Sequence, residues 1–128
     1  MATGFPAITG DVLSAAMFNG LVAFTVTTQS GATYTTANSD LYQVLIQTSN
    51  AGTKTVTIAP DSTMTEAATG SAITFINTGA GLLTFAAGSG VTITSAGATS
   101  AAPTLATHKV CQAVRVSANT YRIFGGIA

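Results

Sequence analysis

Between Ser71 and Thr94 the chain reads Ser-Ala-Ile-Thr-Phe-Ile-Asn-Thr-Gly-Ala-Gly-Leu-Leu-Thr-Phe-Ala-Ala-Gly-Ser-Gly-Val-Thr-Ile-Thr. Three short runs rich in β-branched and aromatic residues are cut by two glycine-containing turns. Strand side chains alternate, so Ile73, Phe75 and Asn77 share one face, with Ala72, Thr74 and Ile76 on the other. Leu83 and Phe85 share a face in the second run. Asn77-Thr78-Gly79-Ala80-Gly81 and Gly88-Ser89-Gly90 supply residues that tolerate turn geometry. The expected local structure is a β-meander. No charged residue, His or Cys lies within it, so the segment offers no catalytic side chain.

The same alternation recurs along most of the chain. Val22, Phe24 and Val26 alternate with Ala23, Thr25 and Thr27. A short strand is expected around Tyr34 at residues 33–36. Over residues 41–48, Tyr42, Val44 and Ile46 oppose Leu41, Gln43, Leu45 and Gln47. Apolar residues on both faces point to a central strand or one between subunits. Val56 and Ile58 share a face within 53–59, and Pro60-Asp61-Ser62 ends that run. Residues 63–70 form a polar connector and 95–103 a small-residue loop. In 107–116, Lys109, Cys111, Ala113 and Arg115 oppose His108, Val110, Gln112, Val114 and Val116. The last strand covers 120–124, with Tyr121 and Ile123 opposed to Arg122 and Phe124. Val56-Thr57-Ile58 and Val91-Thr92-Ile93 echo each other, too briefly to define a repeat.

Residues 1–10 read as an extended arm punctuated by Gly4, Pro6 and Gly10. Asp11 to Gly20 reads as the one helix, with Thr9 or Asp11 as N-cap and Gly20 as the stop. Leu13, Met17 and Phe18 fall near one face. A helix this short needs something to dock on. The expected architecture is therefore all-β: a small antiparallel β-sandwich or barrel of about eight short strands, preceded by an N-terminal extended arm and one short helix. Residues 1–20 form the assembly or docking segment and 21–128 the antiparallel β-domain.

Composition narrows the function. Only 6% of the 128 residues are charged and the formal net charge is zero, against roughly 25% charged residues in an average soluble protein. A monomer ordinarily stays dispersed through mixed surface charge. Here the surface must be covered by Thr, Ser, Gly and Asn, or by partner subunits, and both are expected. Phe5, Ile8, Leu13, Met17 and Phe18 are the candidate assembly residues. No basic patch supports nucleic-acid binding, and no apolar run approaches the roughly 20 residues of a membrane-spanning helix. The N-terminus lacks the basic and apolar regions of a secretory signal, so synthesis in a cytoplasm is expected.

Chemistry-bearing constellations are absent from the pattern. His108 and Cys111 are three apart, on opposite faces of a strand, which does not suit a dyad or a shared metal. Asp11, Asp40, Asp61 and Glu66 show no metal-ligand spacing. The glycine pairs neither open a helix nor precede Lys-Ser/Thr, so they lack the means to cradle phosphate. No catalytic residue, metal or cofactor is expected. Tyr34, Tyr42 and Tyr121 could stack on sugar rings, the alternative to packing.

Three segments carry a family resemblance. They are Thr55-Val56-Thr57-Ile58-Ala59-Pro60-Asp61-Ser62, the run from Gly79 to Ile93, and Asn119-Thr120-Tyr121-Arg122-Ile123-Phe124-Gly125. From Lys54 to Phe124 the chain resembles a small β-domain of tailed-bacteriophage virion proteins. These carry a pattern like "gaG-vtFaagsGVtI" and a closing strand like "n-W/Y-xxxG". Tyr121 stands where Trp is frequent. The resemblance implies a non-enzymatic structural protein, commonly trimeric, such as a capsid decoration (cement) protein that meets the major capsid protein or another virion protein. The alternative it implies is a head- or tail-fibre subunit, including a receptor- or glycan-binding tip using Tyr34, Tyr42 or Tyr121. The implied location is the virion.

Overall fold

A computed structural model describes Ala15 and residues 23–96 and 100–128. Of the expected arm and helix only Ala15 is described, with helical backbone; Phe5, Ile8, Leu13, Met17 and Phe18 lie outside the described residues. The described chain is all-β. Its strands are β1 (Thr25–Gln29), β2 (Thr33–Thr35), β3 (Val44–Thr48), β4 (Lys54–Ile58), β5 (Ala72–Asn77), β6 (Leu83–Ala87), β7 (Thr92–Ser95), β8 (Thr104–Leu105), β9 (Val110–Ser117) and β10 (Thr120–Gly125). One 3-10 turn, Asn38–Asp40, separates β2 from β3.

The strands form a six-stranded sheet in the order β1-β3-β5-β9-β10-β7 and a four-stranded sheet in the order β2-β4-β6-β8. From β1 to β8 the chain alternates between the two sheets at every step. It therefore winds like a coil, and β1, β3 and β5 stack in parallel, as do β2, β4 and β6. The hairpin β9–β10 then fills the gap between β5 and β7.

This corrects the antiparallel, roughly eight-stranded expectation. Five of the eight strand pairs among the described residues are parallel. The meander expected over 71–94 does not form: β5 and β7 lie in one sheet and β6 in the other. The cause is the Asn77–Gly81 turn. It carries the chain around a corner between sheets and stacks on the earlier corner at residues 49–52. A Cβ on Gly79 would overlap the Asn50 carbonyl, and one on Gly81 would overlap the Gly52 carbonyl. These glycines permit backbone contact between windings, not a hairpin. The echo of Val56–Ile58 in Val91–Ile93 is not the structural repeat either, since Val56 aligns with Phe85.

Inward residues from both sheets make one core. Ile46, Phe75 and Cys111 align across the six-stranded sheet, as do Ile73, Ala113 and Ile123. Val56, Phe85 and Leu83 answer from the other sheet, and all are buried. The Phe75 and Phe85 rings meet edge-on, with centroids 5.0 Å apart. Each large apolar side chain enclosed this way contributes about 1.5–3 kcal/mol of transfer free energy.

Alternation fails at the start of β3. Tyr42 and Gln43 take φ values of 62° and 66°. Leu41 consequently turns into the core instead of sharing an outer face with Leu45. His108, at φ 66°, likewise shapes the turn before β9.

A polar seam closes the stacked corners. Asn77 donates through Nδ2 to the carbonyls of Gly81 (2.8 Å) and Leu105 (2.9 Å). Its Oδ1 accepts from Gly79 N and Thr48 Oγ1. Lys54 Nζ donates to the carbonyls of Asn50 (2.6 Å) and Gly81 (2.8 Å). Both side chains are buried, and these bonds offset the desolvation that burial imposes.

Candidate functional surfaces

The two outer faces differ in chemistry. On the four-stranded sheet, Thr33, Thr55, Thr84 and Thr104 form one row and Thr35, Thr57 and Ala86 the next. Threonine hydroxyls keep this face wettable without charge, and threonine pairs across strands support the ladder.

The outer face of the six-stranded sheet is more apolar. One row reads Val26, Leu45, Thr74, Gln112 and Phe124. Thr28, Gln47, Ile76 and Val110 form a second. Ala72, Val114, Arg122 and Thr94 form a third. Val26 and Phe124 are 54% and 52% exposed, and Phe24, Val110 and Val116 are also exposed. Arg122 is the one charged side chain in these three rows. An open groove of about 280 Å³ lies at the β10–β7 margin, lined by Thr94, Ser95, Ala96, Arg122, Ile123 and Phe124. The apolar residues of this face were visible as the second face of β9 and of residues 41–48. What the sequence did not reveal was that β1, β3, β5, β9 and β10 would join them into one surface.

The three tyrosines do not form a common platform. Tyr121 is fully buried, so it offers no ring face to a sugar; this removes it from the stacking set. Its hydroxyl has no hydrogen-bond partner among the described atoms. Tyr34 is half-buried and its hydroxyl donates to Asp40 Oδ2 at 2.6 Å. Burial, then the hydrogen bond to Asp40 and its charge, push the Tyr34 phenol well above the usual tyrosine range. Tyr42, half-buried against the core, donates to the Glu66 carbonyl at 2.7 Å. Both rings are held as structural struts.

Cys111 is a buried free thiol, pushed up to about 12 by burial, which disfavours the nucleophilic thiolate. His108 is exposed, outside β9, and its backbone N–H donates to the Asn77 carbonyl. Asp61 accepts from Arg115 at 2.7 and 3.1 Å and from Asn119 N at 3.0 Å. In return Asn119 Oδ1 accepts from Asp61 N. This cluster pins the β9–β10 turn, where Asn119 has φ 50°. Asp40 is engaged at the 3-10 turn through Tyr34 and Ala37 N. Among the described residues, no three His, Cys, Asp or Glu side chains come together as metal ligands. No helix among them is long and apolar enough to cross a membrane.

The arrangement thus offers faces and a groove suited to contact with another surface. No protein-family model matches the chain, and neither the curated proteins nor the solved structures compared with it give a match.

Proposed function

We propose that this chain is a non-enzymatic virion structural protein: a capsid decoration protein that assembles as a homo-oligomer, with a trimer as the expected state, on a bacteriophage head. In this reading residues 1–20 are the docking segment and include Phe5, Ile8, Leu13, Met17 and Phe18. The partners are other copies and the major capsid protein or another virion protein. The protein is made in the host cytoplasm and resides in the virion.

The observation that carries the reading is the pairing of very low ionic content with an apolar outer sheet face. Such a face is costly to leave in water, and interfaces of permanent assemblies are apolar and large. The phage head is proposed as the assembly on the resemblance of the three segments to virion proteins. The glycan-binding alternative is weakened by the enclosure of Tyr121.

The test compares the full chain with residues 21–128 by mass in solution and by binding to phage heads lacking decoration. Circular dichroism checks folding. The expected outcome is a shorter chain that keeps its β signal but loses assembly or head binding. Unchanged mass and unchanged binding would refute the assignment of residues 1–20.

A further inference from the structure

Resting on the oligomer reading above, we propose that the outer face of the six-stranded sheet is the contact between copies of this chain. The β1 margin of one copy sits against the β10–β7 margin of another.

Three observations converge. The first is area. Six strands at about 4.8 Å spacing and about five residues long cover roughly 450 Å² in projection. Pairing two such corrugated faces removes on the order of 1,000 Å² or more in total, the scale of a specific interface. A face used up in this way joins copies two at a time, so this contact predicts a dimer in place of the trimer that the resemblance implies. The second is charge. Arg122 alone is ionic in the three aligned rows, and it lies towards the β7 margin. Margin-to-opposite-margin contact places Arg122 against the uncharged β1 and β3, avoiding its own counterpart. Contact of like margins would oppose two guanidinium groups and cost association.

The third is shape. The β1 margin presents Val26 at 54% exposure and Phe24 at 50%. The opposite margin presents the groove beside Phe124 and Arg122. An apolar projection at one edge and a groove at the other match between copies. The outer rows of the four-stranded sheet are threonine with one alanine, and the exposed apolar residue beside them is Leu82, at the turn before β6. The edge strands β1 and β7 also contain neither Lys nor Pro, the usual protection against edge association.

The experiment uses the full chain. Sedimentation or light scattering is run on wild type, Val26→Asp, Phe124→Asp and, as a control on the other sheet, Thr33→Asp. All three substituted positions are exposed, so folding is checked by circular dichroism and expected to persist. The expected result is association at least tenfold weaker for Val26→Asp and Phe124→Asp, and unchanged for Thr33→Asp. In a Cys111→Ala background, differently tagged Val26→Cys and Phe124→Cys chains are co-expressed and treated with a short bis-maleimide. Cross-linking between unlike tags is expected to dominate over that between like tags.

An oligomeric wild type whose mass survives both aspartates, with no cross-linking between unlike tags, overturns this face while leaving the oligomer reading intact. A wild type with the mass of one chain at tens of micromolar overturns the oligomer reading and this proposal with it. Protection of Val26→Cys from maleimide in a species of one-chain mass assigns the face to another part of the same chain, and also overturns it.

Discussion

Lys54 donates from its ammonium to the carbonyl oxygen of Gly81 at 2.8 Å, joining the second winding of the coil to the corner that opens the third. The same ammonium holds the Asn50 carbonyl. A cation enclosed without a carboxylate is stable here because backbone carbonyl dipoles surround it. Lys54→Met keeps the apolar stem but leaves these carbonyls without their donor. Stability is expected to fall by about 1–3 kcal/mol, read as a lower urea midpoint with an unchanged slope.

The stacked corners set a contrast between glycines. Gly81→Ala forces a Cβ into the Gly52 carbonyl, which is backbone and cannot step aside. A loss of more than about 3 kcal/mol is expected, enough to leave little folded protein. Gly90→Ala meets no atom within 4 Å and strains only a φ of +75°, costing about 1–2 kcal/mol. Thermal melts of the two variants separate close approach from backbone strain. Equal losses would contradict the account.

Two phenols in different settings give opposite outcomes. Tyr34→Phe removes the bond to Asp40 and is expected to cost about 1–2 kcal/mol. Tyr121→Phe removes a buried hydroxyl that has no partner and is expected to be neutral or stabilising by up to about 1 kcal/mol. Tyr34 and Tyr121 are both raised above the ordinary tyrosine value, chiefly by burial. The unfolded chain therefore loses these protons first, so stability is full below about pH 10 and declines as pH rises beyond it. In a Tyr42→Phe background, ultraviolet phenolate absorbance from Tyr34 and Tyr121 should appear together with unfolding.

Asp61 titrates in the other direction. The hydrogen bonds from Arg115 hold its carboxyl below the ordinary carboxylate range. The stability it contributes is present above the unfolded value of 3.8 and is lost as pH falls through the lower folded value. Asp61→Asn should flatten this acid-side dependence and loosen the β9–β10 turn, seen as faster amide exchange at Asn119. An unaltered acid melt would remove Asp61 from that role.

Cys111 should be silent in the folded state. Its burial and raised thiol value predict negligible alkylation by iodoacetamide in buffer and full alkylation in concentrated urea. Rapid native labelling would mean that β9 opens readily.

Strand positions were largely legible because period-two alternation is a local property. Val56 and Ile58, Ile73 and Phe75, Leu83 and Phe85, and Tyr121 and Ile123 all point inward as their spacing demands. Pairing was not legible, because a glycine turn looks alike whether it reverses the chain or carries it around a corner. Only the approach of Gly79 and Gly81 to Asn50 and Gly52 distinguishes these cases, and that contact is non-local. Leu41 was misplaced because positive φ at Tyr42 and Gln43 resets the alternation. The joined apolar face depends on the order β1-β3-β5-β9-β10-β7, which no single strand encodes.

Among the described strands, only β9 and β10 are both consecutive in sequence and paired with each other. Every other ladder must close a longer loop before it yields a contact, which slows folding. That hairpin also emerges from the ribosome after every other described strand. Synthesis should therefore deliver an open chain whose windings lock once residues 110–125 arrive. Nascent chains arrested before Ser117 are expected to stay protease-sensitive; protection at that length would show that the earlier windings set without the hairpin.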